Sequence, residues 1–195
     1  MDTPATRPVE RRQLLRWLAM GPVALSMLLR ERLALADALT VERLVIAPRE
    51  LSMRNLHTAE KVQVRYFEEG RYLPDALKQL NHLLRDHRSG MAANMDHKLF
   101  DQLHGLAAGA QCTPHYEIIS GYRSPATNEK LRERSDGVAK QSLHMQGRAL
   151  DVRLPRVSCS RLRELAIGMQ SGGVGYYAKS DFVHLDTGRV RSWTG

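Results

Sequence analysis

The hydrophobic pattern of this 195-residue chain changes its period several times. Apolar and polar side chains alternate over residues 62–66, which is typical of a half-buried strand, whereas leucines recur at helical spacing within residues 77–84 and 99–106. Strands and helices therefore follow one another without the regular alternation of a parallel βαβ fold. The pattern predicts the α+β class, built as a small antiparallel sheet with flanking helices.

A hairpin is expected at the start of that sheet. Its two strands are predicted at residues 44–46 and 62–66, with the polar residues 55–58 in the turn region between them. Residues 116–120 predict a further strand. The two leucine-rich helices would then cover the sheet.

Two capping signals define the later helices. Ser124 followed by Pro125 is a favourable N-cap and first-turn pair, which predicts a helix from Pro125 to about Arg134. Ser160 is expected to cap another helix. The glycine-rich residues 172–175 would end that helix and separate it from the last strand.

Two later strands carry polar residues of interest. Alternation over residues 149–154 predicts a strand that buries one face and presents Asp151 on the other. The last strand is expected at residues 182–186, where His184 and Asp186 share a face.

The amino-terminal segment has the features of an export signal. Paired arginines at residues 11–12 precede an apolar run over residues 17–29, too short to span a bilayer comfortably, and small residues surround Ala36. This arrangement resembles a Tat signal, which exports folded proteins. We therefore predict a Tat-type signal at residues 1–36, transient contact with the Tat translocon and a periplasmic location, with a retained membrane anchor as the alternative.

Net charge limits the kinds of partner, and cysteine content limits the kinds of metal site. The net charge of +8 favours an anionic partner, and a nucleic acid, an anionic lipid and an acidic polymer such as the cell wall all qualify. Removal of residues 1–36 lowers the net charge to +5, which argues against a nucleic acid. Only Cys112 and Cys159 are present, so a four-cysteine zinc site is excluded, while a disulfide between them stays open. No repeat or linker divides residues 37–195, which predicts one domain. We also expect the protein to be a monomer.

Three residues form a candidate metal site. His144, Asp151 and His184 offer two imidazoles and one carboxylate from three different elements. Such a set suits Zn²⁺ with one coordination position left for water, and an open zinc site activates water and polarises a carbonyl, as amide hydrolysis requires. Spacing alone leaves a hydrogen-bonded structural pair as the alternative.

These residues lie in motifs that resemble a known family. Residues 142–151 are similar to the S-x-H-x-x-G-x-A-x-D motif of the zinc D-alanyl-D-alanine peptidases, whose fold is shared with the Hedgehog signalling domain, and residues 182–186 resemble their second zinc-binding element. Residues 120–124 and 172–177 make the chain most similar to the MepK-type murein endopeptidases. The resemblance runs from the amino-terminal leader to Trp193.

The resemblance implies roles for individual residues. His144, Asp151 and His184 would be the zinc ligands. Arg123 would stabilise the developing oxyanion or hold a substrate carboxylate, since a guanidinium suits either task. Ser142 would hydrogen-bond the substrate peptide or one of the ligands.

The resemblance leaves the general base open. Asp181 stands where the D,D-dipeptidases have a glutamate, and its side chain is one methylene shorter. Asp186 is the second candidate, although it could simply orient a ligand imidazole. Tyr176 is expected to contact substrate, in a peptide groove that Tyr177 would share.

The function implied is that of an exported, zinc-dependent murein endopeptidase acting on peptidoglycan stem peptides during wall remodelling. Two alternatives stay open. One is a D,D-carboxypeptidase that trims uncross-linked stems with the same ligands. The other is a non-catalytic zinc-containing module that binds peptidoglycan. The type of cross-link, 4-3 or 3-3, is not decided by the residues.

Overall fold

A computed structural model describes Arg30 and residues 47–134 and 137–195 of the chain. The predicted export signal lies outside these residues. Within the described ranges the elements follow in the order β1 (Arg49–Asn55), β2 (Lys61–Glu68), β3 (Arg71–Tyr72), α1 (Pro74–Leu83), α2 (His97–Gly109), β4 (His115–Ser120), α3 (Pro125–Arg132), a 3₁₀ helix (Leu143–Gln146), β5 (Ala149–Arg153), α4 (Cys159–Met169), β6 (Gly173–Tyr177), β7 (Phe182–Asp186) and β8 (Arg191–Thr194).

The described strands form one mixed sheet of eight strands in the order β3-β2-β1-β4-β5-β7-β6-β8. The α+β class is confirmed, but the prediction of a small antiparallel sheet is wrong, because β1 pairs with β4 and β6 with β8 in parallel. The position of β8 next to β6 has a simple cause. One edge of β7 is already paired with β5 and the other with β6, so β8 joins the free edge of β6.

The predicted hairpin is present, with a first strand later in the chain than expected. β1 pairs antiparallel with β2, whereas residues 44–46 lie outside the described residues. Leu51 and Met53 bury one face of β1. Asn55 belongs to this strand rather than to the turn, and its side-chain oxygen accepts a hydrogen bond from the backbone N–H of His57, which builds the turn.

Of the two predicted helix caps, one is confirmed and the other is wrong. Ser124 caps α3 by accepting a hydrogen bond from the backbone N–H of Thr127, as expected, although the helix ends at Arg132. The prediction for α4 is wrong by two residues. Ser158, not Ser160, has extended backbone angles and accepts from the backbone N–H of Arg161, so the helix starts earlier.

The glycines after α4 form a strand rather than a simple break. The helix ends at Met169, and Gly173 and Gly175 lie within β6. Gly175 is needed there for a close approach, since a Cβ atom at this position would lie 2.7 Å from the ring of Trp193 on the neighbouring strand β8. The strand at residues 182–186 is confirmed as β7, but it is not the last.

Three helices cover one face of the sheet: α1 contacts β2, α2 contacts β1, and α4 contacts β6 and β7. Leu150 and Leu185 belong to this buried core. Because side chains alternate along a strand, Asp151 and His184 next to them lie on the opposite face. No helix within the described ranges is long and apolar enough to cross a membrane. The two cysteines, Cys112 and Cys159, carry free thiols.

Candidate metal centre and active site

Three predicted ligands converge at one point. Nε2 of His144 lies 3.2 Å from Nδ1 of His184 and 3.3 Å from Oδ1 of Asp151, and the latter two atoms are 2.9 Å apart. A tetrahedral ion with bonds of about 2.0–2.2 Å needs ligand atoms roughly 3.3 Å from one another. The three atoms therefore have the spacing of one face of a coordination tetrahedron. Among the described residues, no other group of His, Cys, Asp or Glu side chains has this property.

Strand register brings two of these donors together. Asp151 on β5 pairs directly with His184 on β7, so both side chains lie on the same face. His144 comes from the 3₁₀ helix, which Ser142 caps by accepting a hydrogen bond from the backbone N–H of His144. Gly147 ends this helix in the left-handed region, with φ of 67°, and thereby turns the chain into β5.

Hydrogen bonds on the far side of each imidazole select which nitrogen faces the centre. Nδ1 of His144 lies 2.7 Å from the backbone oxygen of Gly121, and Nε2 of His184 lies 3.1 Å from Oδ2 of Asp186. When each of these nitrogens donates to its oxygen, the other nitrogen carries no proton and can bind a metal ion. This is the arrangement that orients histidine ligands in metal proteins.

The charges at the centre also suit a cation. Although burial opposes ionisation, the neighbouring His144 and His184 hold the pKa of Asp151 well below its usual range. Burial lowers the pKa of His144. Burial would also lower the pKa of His184, but hydrogen bonds to Asp151 and Asp186 raise it to about 9. An anionic carboxylate thus attracts positive charge at this point, either a proton or a metal ion.

Asp186 is fully buried and holds a network of its own. Its two oxygens accept hydrogen bonds from both Nη atoms of Arg191, from the backbone N–H groups of Gly173 and Gly188, and from His184. Burial would raise its pKa, but these bonds keep the pKa well below its usual range. The arrangement suits the orientation of His184 better than the acceptance of a proton.

Asp181 lies away from the three donors. Its side chain is 69% exposed and pairs with Arg153, with 3.3 Å between Oδ2 and Nε. The residue has a positive φ of 52°, in a turn just before β7. Ser180 and Phe182 line the cleft at the metal centre, whereas Asp181 between them does not.

Arg123 lies beside the centre. Its Nη2 atom is 3.4 Å from Oδ2 of Asp151 and 3.2 Å from Oγ of Ser120. Within the part of the chain that the structure describes, its Nε atom is buried and has no hydrogen-bond partner. Arg123 thus fixes the second oxygen of the candidate ligand Asp151 and keeps donor capacity for a further acceptor.

The centre opens into a cleft of about 540 Å³. On one side the cleft is lined by residues 137–139 and 141–143, including the predicted Ser142. On the other side lies an aromatic wall, which consists of Tyr177, Phe182 and Trp193. The predicted substrate residue Tyr176 has a different place: it points to the opposite face of β6, where its ring lies 5.5 Å from the guanidinium of Arg163.

Sequence reasoning missed two members of the aromatic wall. Phe182 precedes His184 by two residues, so strand alternation places both on one face and could have identified it. Trp193 had no such signal, because its position depends on the parallel pairing of β8 with β6. The buried Asp86 was also missed. Its Oδ2 accepts a hydrogen bond from the backbone N–H of Ser124, next to Arg123.

Comparison with known proteins identifies the family. Residues 43–193 match the family described as "Peptidoglycan L,D-endopeptidase MepK". The peptidoglycan L,D-endopeptidase MepK of Escherichia coli (strain K12) is 42% identical over 176 residues, which cover 90% of this chain and 94% of that relative, and the MepK of Shigella flexneri has the same identity and coverage. The probable peptidoglycan L,D-endopeptidase MepK of Haemophilus influenzae is 36% identical over 181 residues, covering 92% of this chain and 95% of that relative.

No solved structure matches the chain significantly. The relatives are matched over nearly their whole length, and the matched region contains all three convergent donors, the cleft and the aromatic wall. The resemblance inferred from the motifs is thereby confirmed, and the chain belongs to the MepK family of peptidoglycan endopeptidases.

Proposed function

We propose that this protein is an exported zinc peptidase that hydrolyses peptide cross-links of peptidoglycan. One observation carries the proposal: three donor atoms at metal-ligand spacing lie in a cleft beside a largely buried arginine. The relatives are named as peptidoglycan L,D-endopeptidases, so the bond proposed is one between an L and a D centre, as in a 3-3 cross-link.

The donor set fits Zn²⁺. Nε2 of His144, Oδ1 of Asp151 and Nδ1 of His184 would hold the ion, since two imidazoles, one carboxylate and an open position are typical of catalytic zinc. The ion supplies Lewis-acid activation of water and of the scissile carbonyl when it is bound. Its ligands stay in place because Gly121 and Asp186 hold the outer nitrogens of the two imidazoles.

Arg123 is the proposed electrostatic partner of the reaction. Its guanidinium adjoins the metal centre, and its buried Nε has no hydrogen-bond partner among the described residues. A preformed donor at this place stabilises negative charge that develops on the carbonyl oxygen of the substrate, or it binds a substrate carboxylate. Ser142 contributes by capping the helix that carries His144.

The two predicted acids receive different roles. We assign Asp186 to the orientation of His184, because it is fully buried and its two oxygens already accept five hydrogen bonds. We assign Asp181 no part in the reaction, since it is exposed and paired with Arg153. The substrate tyrosine is proposed to be Tyr177 instead of Tyr176, because Tyr177 lines the cleft.

The place of action follows from the substrate. Peptidoglycan lies outside the inner membrane, so we propose that residues 1–36 direct export through the Tat translocon and that the domain works in the periplasm as a monomer. A twin-lysine variant at residues 11–12 tests the route, since it should retain the protein in the cytoplasm. Unchanged periplasmic location of that variant would exclude Tat export.

The decisive experiment is mass spectrometry of muropeptides released from purified sacculi by the purified domain, with and without chelator. We expect chelator-sensitive conversion of cross-linked dimers to monomers, absent in His144→Ala and retained in His82→Ala, which changes an exposed histidine away from the cleft. Release of terminal D-alanine alone would make the protein a carboxypeptidase. Retained sacculus binding without any product would make it a binding module.

A further inference from the structure

The aromatic wall is a continuous apolar surface directly beside the metal centre. The rings of Tyr177 and Phe182 stack with their centres 4.5 Å apart, and the indole N–H of Trp193 donates to the hydroxyl oxygen of Tyr177 over 3.2 Å. The ring centre of Trp193 lies 5.2 Å from that of His184. All three rings are half-buried and line the cleft.

Two neighbouring residues, Gly175 and Arg191, hold Trp193 in this place. Gly175 lies under the indole, where any Cβ atom would be within 2.7 Å of the ring. The guanidinium of Arg191 lies 4.8 Å from the centre of the same ring while its Nη atoms bind Asp186. The wall is therefore preorganised and tied to the network that orients His184, so little entropy is lost when a substrate group packs against it.

The position of the wall selects the part of the substrate that reaches it. A residue of an extended peptide spans about 3.3–3.6 Å, so a group packed on Trp193 belongs to a residue that flanks the scissile bond. A glycan strand several residues away is out of reach. Arg123 follows β4 and Trp193 lies on β8, and the strand order places β4 and β8 on opposite sides of the ligand-bearing strands β5 and β7. The polar and charged groups of a substrate would therefore bind at Arg123 and an apolar group at the wall.

We infer that the aromatic wall of Tyr177, Phe182 and Trp193 is a specificity site for the polymethylene side chain of the L-diamino acid on the carbonyl side of the cleaved bond. The inference rests on the proposed function. A diamino acid is the residue through which peptidoglycan stems are joined, and its methylene groups form the apolar surface that stacked rings accept. The site would thus distinguish side chains by their length, because a longer polymethylene chain buries more apolar area against the rings.

The test uses synthetic stem peptides in which an L-diamino acid is joined through its carboxyl group to a D-amino acid. The side chain is lysine, ornithine, diaminobutyrate or diaminopropionate, which shortens the polymethylene one group at a time. We expect kcat/KM of the zinc-loaded wild-type protein to fall roughly tenfold when two methylene groups are removed. In Trp193→Ala the same series should differ by less than about twofold, with intermediate discrimination in Trp193→Phe.

Two further variants separate substrate contact from folding. Tyr176→Phe alters an aromatic residue on the opposite face of β6 and should keep the wild-type series. Gly175→Ala leaves the indole in the sequence but displaces it, and should weaken discrimination as Trp193→Ala does. Zinc content and circular dichroism of each variant identify any that has lost the centre or the fold.

The outcomes are distinct. Wild-type discrimination retained by folded, zinc-loaded Trp193→Ala would overturn the specificity site while leaving the peptidase intact. A wild-type protein that releases no product from sacculi would overturn the proposed function itself. Equal cleavage of the whole series by the wild type would also refute the inference.

Discussion

Arg123 and Asp151 form a buried ion pair, with 3.4 Å between Nη2 and Oδ2. The other oxygen of the same carboxylate, Oδ1, faces the two imidazoles. One carboxylate therefore links a candidate metal ligand position to the cation that we propose for the substrate. A change at Arg123 should consequently affect both the chemistry of the substrate and the geometry of the ligand.

Arg123→Ala is expected to lower kcat/KM by about 10²–10³, as the loss of a preformed donor to a developing oxyanion does. Arg123→Lys should recover only part, because an ammonium keeps the charge but lacks the planar fork. Steady-state kinetics on purified muropeptides provide the measurement. A loss in kcat assigns Arg123 to the oxyanion, whereas a loss confined to KM assigns it to a substrate carboxylate.

Asp186→Asn and Asp181→Asn should behave differently. The first removes the anionic partner of His184 and Arg191, so we expect zinc affinity or activity to fall about 10–100-fold. The second changes an exposed residue that pairs with Arg153 and should leave activity within about twofold. A large loss of activity in folded, zinc-loaded Asp181→Asn would restore it as the general base.

Metal binding should stabilise the folded protein. An ion that binds only the native state at a hundredfold excess over its Kd raises the free energy of unfolding by about 2.7 kcal/mol. We expect added Zn²⁺ to raise the Tm of the chelator-treated wild type, measured by differential scanning fluorimetry. His144→Ala should lose this shift, while His82→Ala keeps it. An equal shift in His144→Ala would place the stabilising ion elsewhere.

Acid stability should depend on Asp86. This buried carboxylate accepts hydrogen bonds from the hydroxyl of Ser89 and from the backbone N–H groups of Arg88 and Ser124. Burial would raise its pKa, but the hydrogen bonds hold the pKa well below its usual range. Since the folded pKa is depressed, the stabilisation is complete above the unfolded value near 3.9 and is lost as the pH falls below it.

Asp86→Asn is therefore expected to lower the free energy of unfolding at pH 7 by about 1–3 kcal/mol. It should also flatten the fall in stability between about pH 4 and pH 2. Urea denaturation across this range checks both effects, with Asp75→Asn as the control at a side chain that is 90% exposed. An acid dependence identical to that of the wild type would show that Asp86 is not the group responsible.

The candidate ligands could be predicted because their signals are local. Asp151 and His184 each lie on an alternating strand, and residues 142–151 form a compact motif. The place of Asp181 could not be predicted in this way. Asp181 itself has a positive φ in the turn before β7, and hydrophobic periodicity does not predict such a turn. Only the three-dimensional structure shows that its carboxylate points to Arg153.

The sheet was less predictable than the site. The sequence pattern identified β2, β4, β5 and β7, but the parallel neighbours β1 with β4 and β6 with β8 depend on which edges are free once the other strands have paired. The choice between Tyr176 and Tyr177 has the same origin. Both residues fit a strand, and only the register of β6 with β7 determines which ring enters the cleft.

The direct pairing of Asp151 with His184 has a consequence for how the chain reaches its native state. A slip of one residue between β5 and β7 would turn these side chains to opposite faces of the sheet. A bound ion would therefore stabilise the native register, because a shifted register lacks one of its ligands and gains no binding free energy. The same two side chains that we propose for hydrolysis would thus also favour the correct pairing of the central strands during folding.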